Sequence, residues 1–250
     1  MNRGIYTAAG GMITETYRTD TIANNLANSN TAGYKKDINI SVDFHKMLIE
    51  RINDGQYPYP QVGTLGTGAV SWENYVVHQG GSIKDTGDPL NVAISGSGYF
   101  AVDTPGGVRY TRNGSFTLSD DGTLVTQDGY AVLGAGGARI TAIDNQPITI
   151  SDNGMVYNGA QQIGQLDIID VADKRAMTKE AGVFFRLENN AAQRPFTGKI
   201  ASGVLEMSNV NIIEEMVNLI GSYRAYEINA KAVQTHDQLN DKAVNDVGKM

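Results

Sequence analysis

Few residues in this chain have the type and spacing that catalysis or ligand binding would need. The histidines are His45, His78 and His236, and none has a second histidine three or four residues away, the spacing that puts two imidazoles on one helix face around zinc. There is no cysteine, which removes thiol catalysis, disulfides and thiolate metal sites. Gly96-Ser97-Gly98-Tyr99-Phe100-Ala101 fits the loose dinucleotide fingerprint, but that motif needs a helix after its glycines, and Tyr99-Phe100-Ala101-Val102 reads as a strand. Asp120-Asp121-Gly122 opens like a calcium loop. Gly122 in the third place and Ala131 in the twelfth, where a bidentate glutamate belongs, make it a plain turn. Ser95 and Ser97 lack the order of a nucleophile elbow. A hydrolase using Asp103, Asp120 or Asp121 rests only on carboxylates being common, because no acid and base are positioned as a pair. The sequence therefore predicts no catalytic residue, no cofactor and no metal.

The composition narrows the partners. The 250 residues carry 20 Lys and Arg against 27 Asp and Glu, so the net charge of −7 lacks the basic surplus that a nucleic-acid backbone rewards. No uninterrupted apolar run approaches the roughly 18 residues of a membrane span, which predicts no membrane insertion. The start, Met1 to Arg18, has no sustained apolar core and no cleavage pattern, so a conventional cleaved signal peptide is not expected.

Glycine and proline divide the chain. All six prolines lie between Pro58 and Pro195 and 23 of the 29 glycines between Gly55 and Gly203, so the ends can be helical and the middle cannot. Ile5, Met12, Thr19 and Leu26 recur at seven residues, with Ala9, Thr16 and Ala23 between them, which predicts an amphipathic helix. Gly33 is placed to be its left-handed stop. At the other end Asn211 and Glu214 form a capping-box pattern. A wide apolar band follows from Ile212 to Val233, which must pack against something, its own domain included. Between the helices Asn91 to Val102, Arg109 to Leu118 and Thr123 to Leu133 read as an antiparallel meander. Asn-Gly and Asp-Gly turns at 113, 121, 128, 153 and 158 support it. Further strands are expected at 147–150, 164–171, 182–187 and 203–207, and parallel βαβ construction is disfavoured. Asp37 to Ile52 could extend the first helix, and Gln56 to Gly68 reads as a linker. The resulting divisions are 1–36, 37–90, 91–207 and 208–250.

Three asparagines, Asn24, Asn25 and Asn28, interrupt the first helix although asparagine is a poor interior helix former. They are either a solvated face or amides that fix register between helices of neighbouring chains. The segment from Ile22 to Lys35, IANNLANSNTAGYK, resembles the amino-terminal signature of the flagellar rod and hook axial proteins. Ser208 to Ile220 and Tyr223 to Asn229 are similar to that family's carboxy-terminal signature, and Asn91 to Phe100 with Tyr110 to Phe116 to its central β region. Length and Ser208-Asn-Val-Asn211 point to a rod protein rather than the longer hook subunit. The start Ile5-Tyr6-Thr7-Ala8 resembles the proximal-rod type and Arg224 to Asn229 the distal-rod type; both stay open, with the distal type preferred.

The resemblance implies a non-enzymatic subunit of the bacterial flagellar basal-body rod, polymerising into a hollow shaft that transmits motor torque to the hook. Its implied fold is mixed α and β: long N- and C-terminal helices forming a coiled-coil-like assembly domain, with a central antiparallel all-β domain outside. The implied assembly interface takes Ile5, Met12, Ile22, Asn24, Asn25, Leu26 and Asn28 from the first helix, and Ile213, Met216, Leu219, Ile220, Tyr223, Tyr226, Asn229 and Val233 from the second. The implied partners are further copies, other rod and hook proteins, the flagellar type III export apparatus, which would take the chain without a cleaved signal peptide, and ring proteins around the rod. Termini disordered in the free monomer are also implied. The alternative is a secreted β-rich binding module, such as an adhesin, whose end helices fold back on the sheet.

Overall fold

The computed structural model describes residues 3–44, 46–50, 61–143, 146–188 and 191–247. The chain is mixed α and β, with one N-terminal helix, one C-terminal helix and a β-rich region between them. It divides into two units, Met1–Leu26 with Asp37–Tyr75 and Asn211–Met250, and Ala27–Lys36 with Val76–Val210.

The first unit holds α1 (Arg3–Ala27), β1 (Asp37–Asp43), β2 (Lys46–Glu50), β3 (Gln61–Gly66), β4 (Ala69–Val76) and α2 (Ile212–Lys242). Asn211 caps α2 as its sequence predicts, its side chain accepting from the backbone N–H of Ile213 at 3.1 Å and of Glu214 at 3.4 Å. Such a cap contributes about 1 kcal/mol. The end of the expected α1 extension, Arg51 and Ile52, lies outside the described residues, and residues 37–44 and 46–50 do not extend α1. They pair as two strands, β1 with β4 and β2 antiparallel to β3, so part of the segment read as a linker is strand. The missed signal is a period of two: Ile38, Ile40 and Val42 share one face of β1, while Asn39 reaches across from the other to Ser71 Oγ at 2.7 Å and Asn74 Oδ1 at 2.8 Å.

The second unit runs β5 (Ile83–Asp85), β6 (Val92–Ser95), β7 (Tyr99–Thr104), β8 (Gly107–Thr111), β9 (Phe116–Leu118), β10 (Leu124–Thr126), β11 (Ala131–Val132), β12 (Ile148–Ile150), β13 (Met155–Asn158), β14 (Gln161–Gln165), β15 (Ile168–Val171), β16 (Met177–Ala181), β17 (Phe184–Leu187), β18 (Gln193–Pro195), β19 (Lys199–Ser202) and β20 (Val204–Glu206). Its pairings are antiparallel. The largest sheet is not a plain meander: β9, β10 and β11 follow in sequence, but β11 returns to pair with β7, and β17 comes in beside β8. The strand β7 is buried on both faces. Phe100 and Val102 enter one core with Phe116, Leu124 and Val132, while Tyr99 enters a second with Ile169, Met177 and Phe185. Burying each such side chain stabilises by about 1.5–3 kcal/mol, and the edge-to-face contact of Phe100 and Phe116, centroids 5.2 Å apart, adds to it.

Two glycines serve a purpose other than the one their sequence suggests. Gly33 has φ +69 but lies six residues beyond the end of α1, so it is not the helix stop. Its N–H donates to Glu206 O at 2.7 Å, and a Cβ there would meet the Asn113 backbone nitrogen at 2.2 Å. Gly114 has no positive φ, unlike the glycines of the other four predicted turns; a Cβ there would lie 1.8 Å from Val92 O.

Candidate assembly surface on the terminal helices

Within the first unit α1 and α2 meet antiparallel along a seam of small and polar residues. A Cβ on Gly4 would lie 2.3 Å from His236 Nε2, and one on Gly11 2.9 Å from Asn229 Nδ2. Ser222 Oγ lies 2.6 Å from Glu15 Oε2 and 3.1 Å from both Glu15 O and Thr19 Oγ1. Asn25 Nδ2 donates to Glu215 Oε2 at 3.4 Å. Glu215, Ser222, Asn229 and His236 are seven residues apart, so a heptad seam exists in α2, but it is polar. In α1 it follows Gly4, Gly11 and Asn25, one residue before the apolar stripe of Ile5, Met12 and Leu26. One residue is about 100° of helix rotation, which puts those apolar side chains beside the seam, half-buried. On its other side α1 is held by threonines: Thr7 Oγ1 donates to Thr67 O at 2.9 Å and Thr14 Oγ1 to Ala69 O at 3.2 Å.

Because the seam is polar, the apolar residues of α2 lie outside it. Ile213 is 75% exposed, Val217 63%, Ile220 55% and Tyr223 60%, and Met216 and Tyr226 are exposed as well, whereas Glu215 and Ser222 are buried at 4% and 2%. Leu219, Val233 and Asn229 are half-buried. The docked-helix reading of this band fails for these residues: the helix is not packed through them on its own unit. Val217 and Ile228, the latter 67% exposed, are outward apolar residues beyond those of the implied interface. Of the N-terminal residues singled out, Ile22 is buried and Asn24 exposed on α1, while Asn28 lies past the end of α1, in the second unit, and is half-buried. Asn25 is 1% exposed, its amide bonding to the backbone of Asp37 on both sides, Nδ2 to O at 2.8 Å and Oδ1 from N at 2.9 Å.

The residues weighed for chemistry do not come together. His45 lies outside the described residues, His236 is in the helix seam, and His78 is in the other unit. Tyr99 Oη and His78 Nδ1 are 2.6 Å apart, and burial, followed by the charges of Lys174, Lys35, Arg112 and Lys179, pushes His78 down to about 4. Gly96 to Gly98 joins two strands, β6 and β7, with no helix to receive a pyrophosphate. Asp103 and Asp121 line one cleft of about 500 Å³, but Asp103 is engaged by Arg139 at 2.7 Å, and Asp120 does not line it. Among the described residues no cluster of His, Asp and Glu could hold a metal ion.

An ionic cluster escaped the sequence reading. Glu206, 2% exposed, accepts from Lys35 Nζ at 2.5 Å and Arg112 Nη1 at 3.2 Å; Lys35 also reaches Gln79 O, and Arg112 reaches Ile94 O and Gly96 O. Burial pulls the Lys35 ammonium below the usual lysine range, against the pull of Glu206. Its neighbour Tyr34 is fully buried, with Lys179 Nζ 3.8 Å from the ring centroid. The residues Gly33-Tyr34-Lys35 of the N-terminal signature are thus anchors inside the second unit.

Three family descriptions match this chain: "Flagella basal body rod protein" over residues 5–35, "Flagellar hook protein FlgE/F/G D1 domain" over 93–158, and "Flagellar basal body rod FlgEFG protein C-terminal" over 201–246. The chain is 34% identical over 264 residues to the flagellar basal-body rod protein FlgG of Bacillus subtilis, covering 98% of this chain and 99% of that one. It is 35% identical over 253 residues, with full coverage of both, to the flagellar basal-body rod protein FlgF of Caulobacter vibrioides. It is 34% identical to FlgG of Borreliella burgdorferi over 96% of each chain. These matches give no support to a secreted binding module. The chain belongs to the flagellar basal-body rod protein family, a family of structural, non-enzymatic subunits.

Proposed function

We propose that this chain is a structural subunit of the flagellar basal-body rod that polymerises through the outward faces of its terminal helices into a hollow, torque-transmitting shaft. The carrying observation is the inversion of α2, which buries Glu215 and Ser222 and leaves Ile213, Val217, Ile220 and Tyr223 in water. Apolar area costs about 25 cal/mol per Å² when left wet, so neighbouring helices that cover this band recover that free energy in a coiled-coil-like layer. The polar α1–α2 seam then sets register within a subunit, and Ile5, Met12, Leu26, Met216, Leu219, Tyr226 and Val233 extend the contact between subunits. Further copies and other rod and hook proteins are the partners. The distal position is preferred to the proximal one, export runs through the type III apparatus with the first helix region uncleaved, and ring proteins surround the rod.

Electron microscopy of the concentrated protein tests this directly. Tubes or filaments are expected from the full chain and none after deletion of residues 209–250, with the second unit still unfolding cooperatively. A full chain that stays monomeric at every concentration and ionic strength, alone and with its rod-family partners, would overturn the reading.

A further inference from the structure

Within the second unit, the buried cluster around Glu206 is unbalanced. Lys35, Glu206 and Arg112 have side chains 1%, 2% and 6% exposed, and two cations share one carboxylate. A buried charge without a counter-charge is costly, so a cluster with a surplus positive charge favours an anion beside it. A cleft of about 350 Å³ adjoins the cluster and is lined by Arg112, Glu206, His78, Lys174, Ser95 and Ser97. Lys174 adds a second positive charge and enters no ion pair with an acidic residue among the described residues. His78, held down to about 4 first by burial and then by these cations, is neutral at pH 7 and leaves the balance unchanged. Arg112 Nε is buried and meets no acceptor in hydrogen-bonding geometry among the described residues. The cleft is bordered by the Gly96-Ser97-Gly98 turn, where Gly96 has φ +116, a backbone that opens the turn without a side chain over it.

We propose that this cleft binds a single carboxylate, with Arg112 and Lys174 as its cationic contacts and the hydroxyls of Ser95 and Ser97 at its rim. A carboxylate is favoured over a phosphate dianion because Glu206 at the wall opposes a second negative charge. The volume is near the lower end for ligand sites, about 300–1,000 Å³, and suits an acidic side chain or a small free acid rather than a cofactor. The carboxylate is either an Asp or Glu of a neighbouring subunit or a free acid, and the two share this chemistry.

The test is an NMR titration of the full chain with sodium acetate, and separately with inorganic phosphate, at constant ionic strength. Saturable acetate shifts are expected at the Gly80, Gly81 and Gly96–Gly98 amides and the Arg112 Nε–H. Lys174→Gln, at a half-buried rim position, weakens acetate at least threefold. Sedimentation then separates the sources: a neighbouring subunit's carboxylate predicts weaker self-association of Lys174→Gln and inhibition of the wild type by acetate, and a free acid predicts neither. Shifts spread over the surface, an effect of phosphate alone, or acetate binding indifferent to Lys174→Gln would each overturn the proposal.

Discussion

Asn25 and Asp37 exchange two hydrogen bonds, side-chain amide to backbone, at 2.8 and 2.9 Å, as two paired strand residues would. The amide near the end of α1 therefore stands in for a strand partner where β1 begins, and its Nδ2 also meets Glu215 Oε2 on α2. An asparagine that looks misplaced by helix propensity is the group that joins three elements of the first unit.

Replacing it with alanine removes both of these hydrogen bonds to the Asp37 backbone, and Asn25→Ala is expected to cost about 1–3 kcal/mol. Asn25→Asp should cost more, because a carboxylate cannot donate to Asp37 O and faces the buried Glu215. Urea denaturation followed by helical circular dichroism checks both. Wild-type stability in Asn25→Asp would show that the amide hydrogens do not matter.

Gly33→Ala tests the anchor in the second unit. The position needs φ +69, and the added Cβ would collide with backbone at Asn113 and Arg112, which cannot swing aside as a side chain can. The expected loss is at least about 2 kcal/mol, seen as a lower Tm of the cooperative transition. A Tm within a degree of the wild type would contradict the close approach.

The sequence made some of this legible and hid the rest for physical reasons. Asn211 announces α2 because a cap is a local event, and its side chain does bond the next turn. The strands β6 and β7 and the Asn-Gly and Asp-Gly turns are likewise local. Which face of α2 is covered is not local: the band from Ile212 to Val233 reads the same whether it meets its own unit or another chain. The seam went unread because Gly4, Gly11 and Asn25 carry no apolar signal, and the glycines count against a helix. Lys35 and Glu206 are 171 positions apart, so no periodicity could pair them. The strand β1 was hidden by seven residues that fit a helix extension as well as alternation.

Breaking the Glu206 cluster should show an asymmetry. Glu206→Gln leaves the buried Lys35 and Arg112 charges without a counter-charge and is expected to cost about 3–5 kcal/mol. Lys35→Met keeps the Arg112–Glu206 pair and removes one surplus charge, so it should cost distinctly less. Urea unfolding of the two full-length variants compares them, and a costlier Lys35→Met would sink the charge argument.

The imidazole of His78 makes stability depend on pH. Its folded value, about 4, lies below the ordinary 6.5, so between those pH values the unfolded chain binds a proton that the folded chain refuses. Stability is whole above pH 6.5 and falls as pH drops towards 4. The ceiling is about 3 kcal/mol, reduced by water at the partly exposed ring to roughly 2. The groups facing the ring are Tyr99, Phe185 and the cations Lys174, Lys35, Arg112 and Lys179. His78→Gln should flatten this part of the stability–pH curve, measured as urea midpoints from pH 4 to 7. An unchanged slope would place the acid sensitivity elsewhere.

Ile220→Asp separates folding from assembly. In the single chain Ile220 is 55% exposed, so the new carboxylate points into water and stability should stay within about 0.5 kcal/mol of the wild type. In a dry seam between subunits the same carboxylate costs several kcal/mol unless it is paired or protonated, enough to lower association by orders of magnitude. Ser222→Leu is the contrasting change: it is 2% exposed and bonded to Glu15, so it should loosen the α1–α2 pair in the monomer itself. Hydrogen exchange distinguishes the two. Slow exchange in residues 211–240 should appear on assembly of the wild type and be absent in Ile220→Asp, whose monomer exchanges like the wild-type monomer. If Ile220→Asp assembles as well as the wild type, the outward band of α2 is not the contact between subunits, and the polar seam is all that the helix offers.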